Sequence, residues 1–529
     1  MTGSSTGNTN VLIVGAGPTG LVLALWLTRL GVAVRIVDKT AEPGTTSRAV
    51  AVQARTLELY RQIGLADAIV ERGRKAVAAN FWVTGKRVAR LFFGDMGEGI
   101  SPFPYALIFP QDEHERLLIE RLSELGVIVE RRTELLSFEE AEDHVLARLK
   151  RADDTEETCQ ASWIAGCDGA HSIVRESLKI GFPGGGYMHL FYVADVKASG
   201  AAINNELNVG LDKSDFLAVF PLKDAGHARL VGTVREEAAQ QHKKLSWIDV
   251  SKRVIEWMNI EIESVNWFST YRVHHRVADH FRKGRAFLLG DAAHIHSPVG
   301  GQGMNTGLGD AVNLAWKLAA VLQGRANASL LDSYEPERVA FARKLVATTD
   351  RGFTGVTSSG AIARLIRLRI VPRLMPFLSR FAEARRLLFR TVSQTAINYR
   401  DSSLSEGRAG SVRGGDRLPW VKEVSDGRQD NFTPLTSLDW QVHVYGSATP
   451  EVQTVCADRK LPLHVFPWRP GMGHTGLRRD ALYLVRPDGY VALADPTGSA
   501  RAVASYIDSR NLTSRSERRG EPVIHLADH

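Results

Sequence analysis

Three stretches of this chain combine short apolar runs with glycine and an acid at a strand end, and all three could do the same chemistry. Backbone N–H groups and a carboxylate at such a strand end can converge on an anionic or electron-rich ligand. The densest stretch is Phe287-Leu288-Leu289-Gly290-Asp291, followed by Pro298, four glycines (Gly300, Gly301, Gly303, Gly307) and an apolar-periodic helix through Val312, Ala315, Trp316, Ala319 and Ala320. Near the amino terminus, Val11-Leu12-Ile13-Val14 precedes Gly15-Ala16-Gly17-Pro18-Thr19-Gly20, an apolar helix from Leu21 to Leu30, and Val34-Arg35-Ile36-Val37-Asp38. That is a strand, GxGxxG, a helix and a second strand ending in an acid about 20 residues on, the context in which the motif counts as dinucleotide-binding. Mid-chain, Trp163-Ile164-Ala165-Gly166-Cys167-Asp168-Gly169 repeats the apolar run, acid and glycine. A lone GxGxxG is weak; three such strand ends in this order form a strong pattern.

With these motifs the chain resembles the single-component flavoprotein monooxygenases of the para-hydroxybenzoate hydroxylase fold, and among them the larger bacterial phenol and polyketide hydroxylases. The likeness runs over residues 11–345. It implies that Gly15, Gly17, Pro18 and Gly20 cradle the FAD pyrophosphate, and that Asp38, with Lys39 beside it, holds the adenosine ribose. An acid there favours free ribose hydroxyls over a 2′-phosphate, which suits FAD. The resemblance also puts Arg48 and Gln111 at the flavin, Asp168 against both FAD and the nicotinamide nucleotide, and Asp291 at the ribityl or pyrophosphate region. The loop with Pro298, Gly300, Gly303, Met304 and Asn305 would lie along the isoalloxazine ring. FAD would be tight but non-covalent, NADH or NADPH would be the co-substrate, and a flavin C4a-hydroperoxide would hydroxylate a small phenolic or aromatic substrate with O2.

The elements that must position these groups read as an α/β composite: a Rossmann-like FAD domain with an inserted mixed β-sheet for substrate. Residues 1–75, 105–185 and 272–345 are assigned to the FAD domain, and 76–104 with 186–271 to the substrate sheet. Trp267 to Val273 reads as a strand returning to the FAD domain, and 246–260 as helical. His189, His227 and Arg229 are the polar groups of that sheet with a case for catalysis, and a satisfied structural role competes for each histidine. Well-known phenol hydroxylases carry an aspartate in the loop after Arg48 that helps deprotonate substrate. Ala49 to Val52 contains no acid, so the base stays unassigned. The ordinary expectation for Arg48 and Arg55 by themselves is solvated surface charge.

Residues 346–405 read as a helical connector. Its arginines stand among leucines, isoleucines and phenylalanines, a basic amphipathic composition that can lie on an anionic membrane surface; the prolines and flanking domains favour a connector whose apolar faces pack on the body while the arginines face water. Residues 406–510 alternate strands and helices as a thioredoxin-like domain, and its junction resembles pentachlorophenol-hydroxylase-like members. Cys456 alone cannot do dithiol chemistry. A mobile tail, 511–529, is expected beyond it.

Composition narrows the classes. At 529 residues, 44% hydrophobic and 24% charged, the chain is ordinary globular material for two or three domains. A net charge of +7 over this length argues for no nucleic-acid partner. Cys159, Cys167 and Cys456 form no metal-ligand spacing, so no metal is expected and the cytoplasm is the expected compartment. No apolar stretch approaches a transmembrane span, and a homodimer is the subunit state left open. Three other readings compete. A Baeyer–Villiger monooxygenase or epoxidase on a polyketide-like substrate would use the same fold, and a non-catalytic FAD-binding partner protein would need no substrate. A flavin halogenase requires a Trp-x-Trp-x-Ile-Pro motif that none of the ten tryptophans forms.

Overall fold

A computed structural model describes residues 7–44, 49–211, 216–234, 245–296, 301–357, 365, 369–370, 373–374, 377, 380–422 and 430–515. The chain divides into two compact units. One comprises residues up to Ala315 together with Arg338–Ala396, and the other Trp316–Glu337 together with the chain from Ile397 onward. These cuts differ from the sequence-based boundaries at 345 and 405. The apolar periodicity of Gly303–Leu322 runs through the cut at 315, so a boundary inside one continuous helix leaves no punctuation to read.

In the first unit, five parallel strands lie in the order Ala286–Leu288, Glu156–Gly166, Gly7–Val14, Val34–Asp38, Val129–Arg131. Val11, Leu12 and Ile13 are wholly buried, as are Ile164, Ala165, Phe287 and Leu288. Continuous apolar runs of this kind belong to strands covered on both faces. The helix Pro18–Arg29 follows the first strand, with proline at its start where the missing N–H costs nothing. Antiparallel strands Glu134–Glu140 and Val145–Lys150 extend the sheet beside Glu156–Gly166.

A second, largely antiparallel sheet has the order His294–Ile295, Ile260–Val277, Gly184–Gly200, His227–Thr233, Phe216–Pro221, Leu207–Leu211, Ala78–Val83, Lys86–Phe92. Here the structure corrects two expectations. Residues 267–273 do not return to the first sheet; they belong to an 18-residue strand that pairs with Gly184–Gly200 along most of its length. The stretch 246–260 holds only two short helical pieces, Trp247–Asp249 and Arg253–Trp257. One face of this sheet packs Tyr192, Ala194, Val196 and Leu230 against Val254, Ile255 and Met258. The other carries Phe191, Val193, Ala218 and Val231, flanked by Phe216, Phe220, Trp267 and Tyr271. Period-2 alternation along Phe191–Val196 produces both faces from one strand.

Between the sheets' elements, Ala51–Val52, Ala106–Ile108 and Arg74–Ala76 form a small three-stranded patch. It anchors the helices Ala54–Gln62 and Gln111–Glu124. Arg55 departs from the surface expectation: it is buried, and its guanidinium donates to Glu58 at 3.0 Å. His114 is wholly enclosed, with its Nε2 2.8 Å from the Tyr60 hydroxyl, and burial pushes its pKa down to about 3. The unfolded chain takes up that proton near pH 6.5 and the folded chain does not, so stability is lost as pH falls from about 6.5 toward 3. By pH 5.5 the loss from this group is about 1.4 kcal/mol. Thermal unfolding of wild type and His114→Gln between pH 7 and pH 5 should show a shallower decline in the variant; parallel curves would remove His114 as the source.

In the second unit, Gln441–Tyr445, the helix Pro450–Asp458 and Leu463–Phe466 form a parallel βαβ, and Leu482–Val485 and Val491–Asp495 add antiparallel strands before the helix Ala500–Ser509. The strand order 4-3-1-2 follows from those pairings and is the thioredoxin-like arrangement the sequence implies. Its core gathers Tyr445, Phe466, Tyr483, Val485 and Val491. A buried ionic network lies in the same unit. Lys317 Nζ donates to Glu337 Oε2 at 2.9 Å, and Arg486 bridges Glu337 (2.7 Å) and Asp488 (2.7 Å). Opposite charges in this network offset the desolvation that each would otherwise suffer alone.

Candidate functional site

The three acid-and-glycine stretches come together because their strands are neighbours. Glu156–Gly166 lies between Gly7–Val14 and Ala286–Leu288, all parallel, with Val14 in register with Gly166 and Gly166 with Leu288. Backbone bonds continue past the strand ends: Gly15 N–H donates to Val37 O (2.8 Å), Cys167 N–H to Val14 O (2.7 Å), and Leu289 N–H to Gly166 O (3.0 Å). Ligands of open parallel sheets bind in the crevice outside such carboxyl ends.

The glycines have separable reasons. Gly15 sits at φ +103°, and a Cβ there would overlap the Cys167 carbonyl and approach the Asp168 Cα within 2.8 Å. Gly20 packs directly on the Gly15 carbonyl, so the helix start is pressed onto the turn. Gly17 is different: its backbone is extended (φ −76°, ψ 179°), and a Cβ would meet no protein atom within 4 Å. Pro18 begins the helix beside it.

Asp38 Oδ2 accepts from Ala16 N–H at 2.7 Å, and its Oδ1 from Thr40 N–H at 2.8 Å, which fixes the carboxylate next to the glycine turn. Lys39 next to it is exposed. Asp168 Oδ2 accepts from Ile173 N–H (2.8 Å) and Val174 N–H (3.3 Å), whereas its Oδ1 is buried without a hydrogen-bond partner. Burial raises the Asp168 carboxyl above its ordinary range. Asp291 stands exposed in the turn Gly290–Ala292.

The Asn305 carboxamide is bonded within the protein. Its Oδ1 accepts from Gln53 N–H (2.9 Å) and Thr56 Oγ1 (2.8 Å), and its Nδ2 donates to Ala51 O (2.9 Å) and Gly301 O (3.0 Å). A carboxamide has two donors and two lone pairs, so Asn305 ties the start of the helix Gly303–Leu322 to residues 51–56. Gln111 holds the loop at Ala49, its Oε1 3.4 Å from Ala49 N, and donates to Glu115 Oε1 at 2.9 Å. Gly303 opens that long helix, with Met304 half-buried after it. His227 lies at a strand end, its Nδ1 3.3 Å from Ala225 O. Arg48, Pro298 and Gly300 lie outside the described residues, as does the side chain of His189.

Arg229 is the candidate the structure brings into the aromatic face. It is 3% exposed, and Nε and Nη2 form a bidentate pair with Asp195 at 2.7 Å each. Its guanidinium is 5.6 Å from the Trp267 ring centroid, and Nη1 lies 3.5 Å from Ala49 O. The face bearing Phe191, Val193 and Val231 therefore looks toward Ala49.

Sequence reasoning missed a fully buried set behind the third stretch. Asp310 accepts from Arg338 Nε (2.6 Å) on Oδ1 and from Gly290 N–H (3.0 Å) on Oδ2, with His294 Nε2 2.7 Å from Oδ2. Burial alone would raise this carboxyl, but Arg338, His294 and the Gly290 N–H hold it below its ordinary range. Thr19 fills the space against Gly290 and Gly307, locking the first motif to the third. The signal available in the sequence was an acid and an arginine set in otherwise apolar helical surroundings.

These residues fit FAD. An open space in front of Gly17 at a helix start can take a phosphate, and the unpartnered Asp168 Oδ1 can accept from a ribose hydroxyl. Among the described residues no group of three or more His, Cys, Asp or Glu could hold a metal ion.

Comparison with known proteins agrees with that geometry. Residues 8–349 match a family described as the FAD binding domain. The 6-methylpretetramide 4-monooxygenase of Streptomyces rimosus is 37% identical over 416 residues, covering 76% of this chain and 72% of that protein. The pentachlorophenol 4-monooxygenase of Sphingobium chlorophenolicum is 32% identical over 423 residues, with 77% and 75% covered. The solved structure of OxyS anhydrotetracycline hydroxylase from Streptomyces rimosus superposes with a TM-score of 0.76 at 28% identity, covering 98% of this chain and all of that one. With its three strand ends side by side in one parallel sheet, the chain belongs to the FAD binding domain family and is a flavin-dependent aromatic monooxygenase.

Proposed function

We propose that this enzyme uses NADH or NADPH and O2 to hydroxylate a phenolic, polycyclic substrate bound on the sheet face of Phe191, Val193, Val231, Trp267 and Tyr271. The observation that carries the reading is the buried Arg229 on that apolar face, pinned by Asp195 and with Nη1 3.5 Å from Ala49 O. Relatives that act on tetracycline intermediates and on pentachlorophenol support a substrate that is planar and acidic. Bound FAD, reduced by the nicotinamide nucleotide, supplies activated oxygen: one atom of O2 enters the ring and the other leaves as water.

The chain's own residues do the rest. The aromatic face excludes water and orients the ring plane. Arg229 presents positive charge where a phenolate would gather, and the bidentate Asp195 keeps the guanidinium from swinging away. Gly17 and the helix Pro18–Arg29 would receive the pyrophosphate, Asp38 the adenosine ribose, Asp168 both FAD and the nicotinamide nucleotide, and Asp291 the ribityl or pyrophosphate region. Arg48, Gln111, Pro298, Gly300, Gly303 and Met304 serve the flavin ring. The three buried free thiols suit a reducing cytoplasm. A homodimer is proposed as the subunit state, to be read by sedimentation.

The purified protein should be yellow. A panel of phenols and aromatic polyketides should stimulate NADH or NADPH oxidation, with a product one oxygen heavier and an intact carbon skeleton. A ring-expanded lactone would instead establish Baeyer–Villiger chemistry, and a colourless protein that takes up no FAD would end the proposal. Arg229→Gln should lower kcat/KM for the substrate about tenfold while flavin content stays at wild-type level. Unchanged turnover would remove Arg229 from the site.

A further inference from the structure

The chain's formal charge of +7 is not spread along it. Residues 361–392 contain eight arginines and one acid, Glu383, a net +7, so the remaining residues balance to zero. Apolar residues of this segment were expected to pack inward. Among the described residues Phe389 does, but Leu365, Ile370, Leu374, Phe377, Phe381 and Leu387 are 44–67% exposed. Arg369, Arg373, Arg380, Arg386 and Arg390 are exposed among them.

Ile370, Leu374, Phe377 and Phe381 recur at helical spacing, i, i+4, i+7, i+11, and the Phe377 and Phe381 rings lie 5.2 Å apart. Phe389 alone in the helix Ala382–Val392 is buried, set against Gly97, and it anchors the segment to the first unit. A single exposed leucine is ordinary surface; a run of large apolar side chains interleaved with arginines marks an interaction site.

We infer that this segment docks the enzyme peripherally on an anionic lipid surface. Phenylalanine and leucine side chains enter the boundary between headgroups and acyl chains, and the arginines bind the headgroup phosphates. Neither signal suffices alone, and here both occur in one stretch. A second copy of the chain fits poorly, because a two-fold contact would set one +7 segment against another. Nucleic acid would use the arginines and leave the phenylalanines in water. No helix among the described residues is long and apolar enough to cross a membrane, so the attachment is to the surface.

The test is cosedimentation of the FAD-loaded full chain with phosphatidylcholine vesicles, with and without phosphatidylglycerol, at low and high salt. Binding should require phosphatidylglycerol and weaken with salt. Arg369→Glu/Arg373→Glu and, separately, Phe377→Ser/Phe381→Ser should each reduce partitioning at least about tenfold. Flavin-to-protein ratio should stay at the wild-type value in both. If either pair loses flavin, Arg386→Glu/Leu387→Ser on the neighbouring helix replaces it. Protein that stays in the supernatant at every lipid concentration overturns the inference. So does equal binding to pure phosphatidylcholine, or a lipid-free dimer abolished by these variants without any vesicle binding. Retention on duplex DNA that depends on the arginines and not on the phenylalanines overturns it as well.

Discussion

Gly17→Val is expected to cost the enzyme its FAD while leaving the apoprotein folded. The backbone at Gly17 is already in an extended conformation that any residue adopts, and no protein atom lies within 4 Å of the added Cβ. The new side chain therefore strains nothing in the protein and occupies only the space in front of the helix Pro18–Arg29. If the pyrophosphate occupies that space, overlap should weaken FAD binding on the order of tenfold to a hundredfold. Thermal unfolding of the flavin-stripped protein should move by less than about 1 kcal/mol equivalent, the scale of a helix-cap change. Gly15→Ala is the contrasting control, since its Cβ would collide with the Cys167 carbonyl and its φ of +103° is strained for alanine. That variant should lose both flavin and stability. Wild-type FAD affinity in Gly17→Val would show that the phosphate does not sit at this turn.

Asp310→Ala should be among the most destabilising single changes in the first unit. The carboxylate is wholly buried and binds a buried arginine, a buried histidine and the Gly290 N–H. Removing it leaves the Arg338 guanidinium enclosed without its counter-charge, a situation that costs about 3–5 kcal/mol. Asp310→Asn keeps the shape and should lose less. Because the folded-state carboxyl is held below its ordinary value, its contribution is present at neutral pH and fades only as pH falls through the acid range. Urea unfolding of the variants at pH 7 measures this directly. A change within 1 kcal/mol of wild type for Asp310→Ala would mean that the cluster contributes nothing net. The loop Gly290–Ala292 should loosen with it, so residual folded protein should also hold FAD less tightly.

Much of the cofactor site was legible because its determinants are local. GxGxxG between a strand and a helix, and an acid at the end of the next strand, are short-range patterns that parallel strands impose on neighbouring residues. The long second-sheet strand was harder. Ile260–Val277 pairs with Gly184–Gly200 along nearly its whole length and takes His294–Ile295 on its other edge at Arg276 and Val277, and both partners are distant in sequence. Arg55 was read as solvated because lone arginines are usually exposed; its partner Glu58 is one turn on, but Glu58 also accepts from the Ser101 hydroxyl at 2.6 Å, a buried contact 43 positions away that the local pattern does not announce. Asn305 lies in a motif whose spacing points to the flavin, and its amide is instead satisfied by residues some 250 positions earlier.

By itself the sequence determined that this protein has a nucleotide-binding βαβ unit, two further acid-and-glycine strand ends and a thioredoxin-like second body without a dithiol. Those are consequences of periodicity, glycine placement and cysteine count, which require no knowledge of distant neighbours. Only the tertiary structure decided that the three strand ends are adjacent, that Asp195 pins Arg229 on an aromatic face, and that Asp310 clasps Gly290, His294 and Arg338. The physical reason is that the buried charges of Arg229 and Arg338 are tolerable only beside counter-charges that stand 34 and 28 positions away, and the fold alone brings each pair together.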